Sequence, residues 1–164
     1  MPNYRKTYSD IYDKHVDKIY RFIVLKVKSS ETAEDLCSEV FLRGWQAFKG
    51  ETKIDNIQAF LYQIARNLLS DHYREASKAQ LVSVEYAPII DSRQGLEEKA
   101  FISSDLGLVK TALANVKDEY REVIIWYYLD ELKIPEIAKI LDKSEGTCRV
   151  LIHRALKALK NEIS

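Results

Sequence analysis

Apolar residues recur every three or four positions through most of this chain, which is the spacing that predicts amphipathic α-helices. Residues 8–28 and residues 32–48 each show this pattern, and Ser29 and Ser30 interrupt it between them. In each helix one face is therefore expected to pack and the other to meet solvent. The predicted apolar stripes are Tyr8, Ile11, Tyr12, Val16, Ile19, Tyr20 and Ile23 in the first helix and Ala33, Leu36, Val40, Trp45 and Phe48 in the second.

A third helix is predicted over residues 57–78, after a polar stretch at residues 49–56. Asp55 followed by Gln58 fits a capping box for its start. Aromatic side chains interleaved with bases beside a polar loop are typical of surfaces that bind single-stranded nucleic acid. Core aromatics beside a solvated charged face have the same pattern, so both interpretations remain open. The predicted buried residues are Ile57, Phe60, Leu61, Tyr62, Ile64 and Leu68.

The helical pattern is lost over residues 80–104, where proline, glycine and acidic side chains predict a linker. It resumes at Asp105, a residue type that suits a helix N-cap, and continues through residues 118–132. The chain is therefore predicted to be all-α. Two small helical domains, residues 1–79 and 105–164, are joined by a flexible acidic linker.

The stretch at residues 133–160 predicts two short helices joined by a tight turn at residues 142–146. Pro135 lies near the start of the first helix, where a missing N–H costs little. This is a helix-turn-helix, which lays its second helix in the major groove of DNA. A helical hairpin with a merely solvated charged face has the same pattern. The second helix is predicted to pack through Cys148, Ile152, Ala155 and Leu159 and to expose Thr147, Arg149, Leu151, Arg154 and Lys157.

The distribution of charge along the chain indicates how it would bind DNA. The chain has 25 basic and 25 acidic residues, which is not the balance of a protein that coats DNA. From residue 143 onward the basic side chains outnumber the acidic ones, whereas residues 81–105 are mainly acidic. DNA binding should therefore be local and assisted by a partner.

Several other classes of protein are disfavoured. No run approaches the ~20 apolar residues of a membrane span, and the amino terminus has no signal-peptide core, so a cytoplasmic chain without membrane insertion is expected. Cys37 and Cys148 are expected to be buried free thiols. His15, His72 and His153 stand on helices without an evident partner. No nucleophile–base arrangement, glycine-rich phosphate loop or cluster of metal ligands is found, so no enzyme activity, cofactor or metal is predicted.

Three segments resemble the extracytoplasmic-function (ECF, group IV) sigma factors of the sigma-70 family, in the same order and spacing. They are AEDLCSEVFLRGW at 33–45, IQAFLYQIARNLLSDHYR at 57–74 and EYREVIIWYYLDELKIPEIAKILDKSEGTCRVLIHRALKAL at 119–159. The resemblance implies an RNA polymerase sigma factor that binds core polymerase and directs promoter recognition and transcription initiation. The alternative, a stand-alone helix-turn-helix regulator, leaves the first segment unexplained.

The resemblance also implies roles for individual residues. Members of the family bind the polymerase core through its β′ clamp helices and β flap, capture a flipped base of the promoter −10 element in a loop, and read the −35 element with the helix-turn-helix. Many are controlled by an anti-sigma factor. The implied polymerase-binding residues are Asp35, Ser38, Glu39, Leu42 and Arg43; the −10 residues are Lys53, Asp55, Asn56, Arg66, Asn67, Asp71 and Arg74; and the −35 residues are Ser144, Glu145, Thr147, Arg149, Leu151, Arg154 and Lys157.

The recognition helix departs from the family pattern. Members of the family usually have GTVKSRLHRAR where this chain has GTCRVLIHRAL. Leu151 cannot donate a hydrogen bond to a base or phosphate, although it could contact a thymine methyl group. We therefore expect weak duplex affinity, a −35 specificity of this chain's own, and more base discrimination by the −10 loop.

Overall fold

The structure is a computed structural model that describes residues 3–50, 53–83 and 104–163, with the side chains of 79–83 and 104–106 outside the description. The chain divides into two units, Met1–Phe101 (unit 1) and Ile102–Ser164 (unit 2). Within the described ranges the regular structure is helical and no β-strand occurs. The predicted all-α fold class is therefore confirmed. None of the described helices is long and apolar enough to cross a membrane.

Unit 1 contains helices α1 (Tyr4–Val24), α2 (Ser30–Lys49) and α3 (Ile57–Ser83). All three begin after side-chain caps that satisfy free backbone N–H groups. The N–H of Lys6 donates to Asn3 Oδ1 at 3.2 Å, and the N–H of Thr32 donates to Ser29 Oγ at 3.1 Å. Because Asn3 caps it, α1 begins four residues before the predicted start at residue 8.

The start of α3 corrects the predicted capping box. The N–H of Ala59 donates to Asn56 Oδ1 at 3.0 Å, so Asn56 is the cap and Asp55 lies one residue before the cap. A residue outside the cap cannot make the bond that a capping box requires, so the prediction for Asp55 was wrong. α3 also continues to Ser83, beyond the predicted linker start at residue 80. The rest of that linker, residues 84–103, lies outside the described residues.

The core of unit 1 is formed where all three helices meet. Phe22 and Tyr62 are fully buried and touch edge to face, with ring centroids 5.5 Å apart. α2 packs on both α1 and α3, so a wide arc of it is covered. Leu36 and Trp45, predicted for its buried stripe, lie at the edges of this arc, and Phe48 lies near the end of the helix, so all three are only half-buried. The buried residues of α2 are Ala33, Cys37, Val40, Phe41 and Gly44.

Unit 2 contains four α-helices among its described residues. They are α4 (Ser104–Ala114), α5 (Asp118–Ile124), α6 (Ile134–Leu141) and α7 (Glu145–Ile163). A π-helical turn, Ile125–Leu129, continues directly from α5. It carries Trp126 into the core, where that side chain is 0% exposed.

The helices α6 and α7 form the predicted helix-turn-helix. Pro135 lies in the first turn of α6, as expected. Ser144 caps α7 by accepting from the N–H of Thr147 at 3.1 Å, so the turn is shorter than predicted and ends before Glu145. The predicted packing face is confirmed at Cys148, Ile152 and Ala155, which are buried, whereas Leu159 is half-buried.

Candidate functional site

The five residues expected to bind polymerase lie along one side of α2. Their spacing of three and four places them on one face of the helix, and the buried residues of α2 lie on other sides. Leu42 is 50% exposed at the centre of this face. Arg43 Nε donates to Glu39 Oε1 at 2.9 Å, so these two charges neutralise each other. Asp35 pairs with no cation in the described parts of the chain, and it is exposed.

A cleft of about 330 Å³ runs beside this face, between α1 and α2. Two carboxylates, Asp17 and Glu34, line it together with Ser38 of the expected polymerase face. Cys37 also lines the cleft, and burial raises the pKa of its thiol to about 11, so the thiol stays protonated near neutral pH. Both cysteines are buried and free, as predicted.

The expected −10 residues extend from the loop before α3 along that helix. Lys53 and Asp55 are exposed, whereas Asn56 is half-buried and its side-chain oxygen caps α3. The distance along the helix from Asn56 to Arg74 is about 27 Å at the usual rise per residue. The structure thus places these residues in a strip rather than in one pocket.

On α3 itself, Asn67, Asp71 and Arg74 are exposed and share one side, while Arg66 lies a quarter turn away and is half-buried. Arg74 Nη1 is 3.9 Å from Asp71 Oδ1. Both side chains are more than 60% exposed, so solvent screens the pair and it contributes little to stability. Arg74 therefore remains available to a phosphate.

The residues expected to read the −35 element are divided between two sides of α7. Thr147, Arg154 and Lys157 are exposed on the side opposite the packed face. Arg149 lies toward the flank, where its Nη2 is 3.5 Å from Glu145 Oε2. The Ser144 hydroxyl is 2.8 Å from that of Thr147, so these two hydroxyls are already bonded to each other.

Two predictions for α7 need refinement. Leu151 is half-buried, whereas Val150 is 50% exposed and lies at the centre of the outer face. Counting helical turns from the packed residue Cys148 would have found Val150. Arg149 and His153 instead line a cleft of about 230 Å³ with Tyr127 and Tyr128 of the π-helical turn.

Comparison with known proteins identifies the class of protein to which this chain belongs. Residues 11–79 match the family described as Sigma-70 region 2, and residues 106–159 match Sigma-70, region 4. The chain is 30% identical to the ECF RNA polymerase sigma factor SigW of Bacillus subtilis, over 95% of this chain and 88% of SigW. It is 28% identical to BldN of Streptomyces coelicolor, over 91% of this chain, but spans only 57% of BldN.

Two solved structures share the fold. One is the sigma factor RpoE in complex with the anti-sigma factor NepR from Bartonella quintana, with a TM-score of 0.76, 20% identity, and coverage of 96% of this chain and 97% of RpoE. The other is CnrH in complex with the cytosolic domain of CnrY, with a TM-score of 0.72, 19% identity, and coverage of 97% and 88%.

The chain belongs to the sigma-70 family, within its ECF group. It is an RNA polymerase sigma factor that acts in promoter recognition. A stand-alone helix-turn-helix regulator, which α6 and α7 alone allowed, would not account for the region 2 match over residues 11–79.

Proposed function

We propose that the two units divide the work of this sigma factor. Unit 1 docks on core polymerase through the exposed face of α2 and holds the −10 strand along α3. Unit 2 reads the −35 duplex through α7. The observation that carries the proposal is the geometry of α2, whose five docking residues share one face while its buried residues occupy other sides.

The strip on α3 suits a melted strand. A flipped base has to be held by side chains that reach its edge, because extrusion costs a few kcal/mol. Lys53, Asp55 and the amide N–H₂ of Asn56 would supply these contacts at the loop. Further along α3, Arg74 and the half-buried Arg66 would contact phosphates, and polar Asn67 lies between them.

The recognition helix has fewer donors for duplex DNA than the usual family pattern has. Val150 and the half-buried Leu151 occupy the centre and flank of the outer face. Each good contact to a base provides ~1–3 kcal/mol of discrimination, so their apolar side chains reduce what α7 can contribute. We therefore assign more of the promoter choice to the −10 loop of unit 1.

We also propose that an anti-sigma factor holds this chain inactive. RpoE and CnrH, which share its fold, were each solved with a bound protein, named as an anti-sigma factor in the case of NepR. We assign it to the cytoplasm, because the polymerase and promoter that it would serve are there. It catalyses no reaction itself, and its effect on transcription comes from positioning polymerase on DNA.

The test is charge reversal on α2. Asp35→Arg combined with Glu39→Arg is expected to abolish binding to core polymerase, because both side chains face the same way. Binding is measured with labelled chain and purified core, and folding is checked by circular dichroism. Asp10→Arg combined with Asp13→Arg, at two exposed acids on α1, is the matched control and should bind core normally. Unchanged affinity of the α2 variant with intact helicity would refute the assigned face.

A further inference from the structure

A second cleft lies between the amino-terminal half of α1 and the carboxy-terminal half of α2. Its volume is about 330 Å³, and it is lined by Arg5, Tyr8, Ser9, Tyr12 and Trp45. We call it the aromatic cleft. None of its residues belongs to the polymerase face, the −10 strip or the recognition helix, so its lining has no role in the function proposed above.

Its floor is rigid. The Tyr8 ring centroid is 5.3 Å from that of Trp45 and 5.5 Å from that of Phe48. The Tyr8 hydroxyl donates to the carbonyl of Phe41, and burial raises the pKa of Tyr8 to about 12, so the side chain stays neutral. A ring that is packed and hydrogen-bonded keeps its place, which makes the cleft preformed.

Its rim exposes aromatic surface. Tyr12 is 44% exposed although its ring packs edge to face on Phe41, with the ring centroids 4.8 Å apart. Tyr4, next to the cleft, is 51% exposed and also packs edge to face on Phe48, with the ring centroids 6.1 Å apart. Exposed ring faces held by a second ring are suitable platforms for stacking.

The charge around the cleft selects an anionic ligand. Arg5 lines it, no carboxylate does, and Lys49 Nζ lies 5.7 Å from the centroid of the Trp45 ring. The neighbouring cleft on the same pair of helices shares Tyr12 but contains Asp17 and Glu34. Rings with cations and without acids are the combination that binds single-stranded nucleic acid, by stacking and phosphate contact.

The cleft is also near the −10 loop along the chain. Lys49 ends α2 and is four residues from Lys53, so at most about 14 Å of extended chain separates them. Lys49 and the loop are thus close enough for one strand to contact both. This continuity favours nucleic acid over a protein segment as the occupant.

We propose that the aromatic cleft binds a second unstacked nucleotide of the melted promoter strand, with its base against Tyr12 and Trp45 and its phosphate at Arg5 and Lys49. This proposal rests on the −10 role of unit 1 proposed above. The cleft would hold the strand open beside the loop and so stabilise the melted promoter.

The first experiment uses holoenzyme and a promoter fragment with a premelted −10 region. Tyr12→Leu keeps an apolar contact with Phe41 but removes the ring, and it should shorten complex lifetime about 5- to 150-fold, the range for losing one stacked base. Arg5→Ala should weaken binding and reduce the salt slope by about 0.7. Lys14→Ala, at an exposed base of α1 outside the cleft, is the matched control and should change neither.

The second experiment observes the cleft directly. Short single-stranded oligonucleotides are titrated into the full chain while tryptophan fluorescence is recorded. Trp126 is 0% exposed, so quenching should come from Trp45 and disappear in Trp45→Phe. Quenching that persists in Trp45→Phe, or no quenching in the wild-type chain, would overturn the proposal.

The outcomes separate this proposal from the function on which it rests. Normal lifetimes for Tyr12→Leu and Arg5→Ala, in holoenzyme that opens promoters normally, reject only the cleft. Reduced core affinity of either variant means that the cleft is a protein interface, and it also rejects nucleotide binding. A wild-type chain that binds core but cannot hold premelted DNA contradicts the −10 role itself.

Discussion

The two units differ in the kind of constraint that acts at their most crowded or strained residues. In unit 1 a glycine provides space, because a Cβ at Gly44 would lie 2.6 Å from the Tyr8 hydroxyl oxygen and 2.9 Å from Leu61 Cδ2. In unit 2 the constraint is backbone strain at residues with positive φ. Glu131 has φ 57° and Asp142 has φ 54°, and these are the non-glycine residues with positive φ within the described ranges. At Gly44 in unit 1 the constraint is the space for a side chain, whereas at Glu131 and Asp142 in unit 2 it is the backbone conformation. Adding a side chain should therefore destabilise unit 1, and replacing a side chain by glycine should stabilise unit 2.

The largest effect is expected from Gly44→Ala. The added methyl group meets Tyr8, which is buried and hydrogen-bonded and therefore cannot move away freely. Overpacking of this kind costs ~1–3 kcal/mol of the free energy of unfolding. Urea unfolding followed by circular dichroism measures the loss.

Gly146→Ala provides the control for that experiment. Apart from its two chain neighbours and the adjacent backbone of α7, no atom lies within 4 Å of a Cβ at Gly146. Alanine should therefore stabilise unit 2 by roughly 0.5–1 kcal/mol, through its better helix propensity. A loss of stability in both variants would mean that the contrast between space-limited and open glycines is wrong.

Glu131→Gly should stabilise unit 2. A side chain in the left-handed region costs roughly 1–2 kcal/mol, and glycine removes that cost. Asp142→Gly should gain less, because aspartate tolerates this conformation better than glutamate. Thermal unfolding of both variants tests the order. A gain from Asp142→Gly that exceeds the gain from Glu131→Gly would contradict it.

Substitutions at Asn56 test whether the residue that caps α3 also recognises a −10 base. Asn56→Ala should cost ~1 kcal/mol because α3 loses its cap. Asn56→Asp keeps the accepting oxygen but loses both amide donors, so stability should be retained while the preferred −10 base changes. Transcription from a library of −10 bases measures this preference. Wild-type preference in the stable Asp variant would leave Asn56 with a structural role alone.

Val150→Arg should strengthen duplex binding by unit 2. Val150 lies at the centre of the outer face of α7, so an arginine there reaches phosphate and should steepen the salt dependence of duplex binding by about 0.9. Leu151→Arg should gain less, because Leu151 is half-buried on the flank. Anisotropy titrations with −35 duplex at several salt concentrations compare the two variants, and equal slopes would reject the difference in position.

The smallest effect concerns pH and unit 1. His15 is 5% exposed, and its pKa is lowered by burial first and then by Lys14 and Lys18. The unfolded chain therefore binds a proton near pH 6.5 that the folded chain resists, so stability is present above about pH 6.5 and is lost as pH falls toward the folded pKa. His15→Gln should flatten this part of the stability profile. A profile unchanged by the substitution would show that other groups cause the loss.

The sequence by itself determined the helices, their order, the helix-turn-helix and the resemblance to ECF sigma factors. These depend on local properties: apolar spacing repeats with the helical turn, and the motif segments are contiguous. The packed side of α7 followed from spacing alone, because Cys148, Ile152 and Ala155 lie on a single stripe that faces the rest of unit 2.

Only the tertiary structure decided details that depend on neighbours distant in sequence. The covered arc of α2 includes Cys37, Phe41 and Gly44, rather than Leu36 and Trp45, because two helices contact α2 instead of one. The choice of Asn56 over Asp55 as a cap depends on where the backbone first turns into α3, which propensity does not resolve to one residue. The aromatic cleft likewise exists only where α1 and α2 bring Arg5 and Trp45 together, because no spacing within one helix encodes a contact between two.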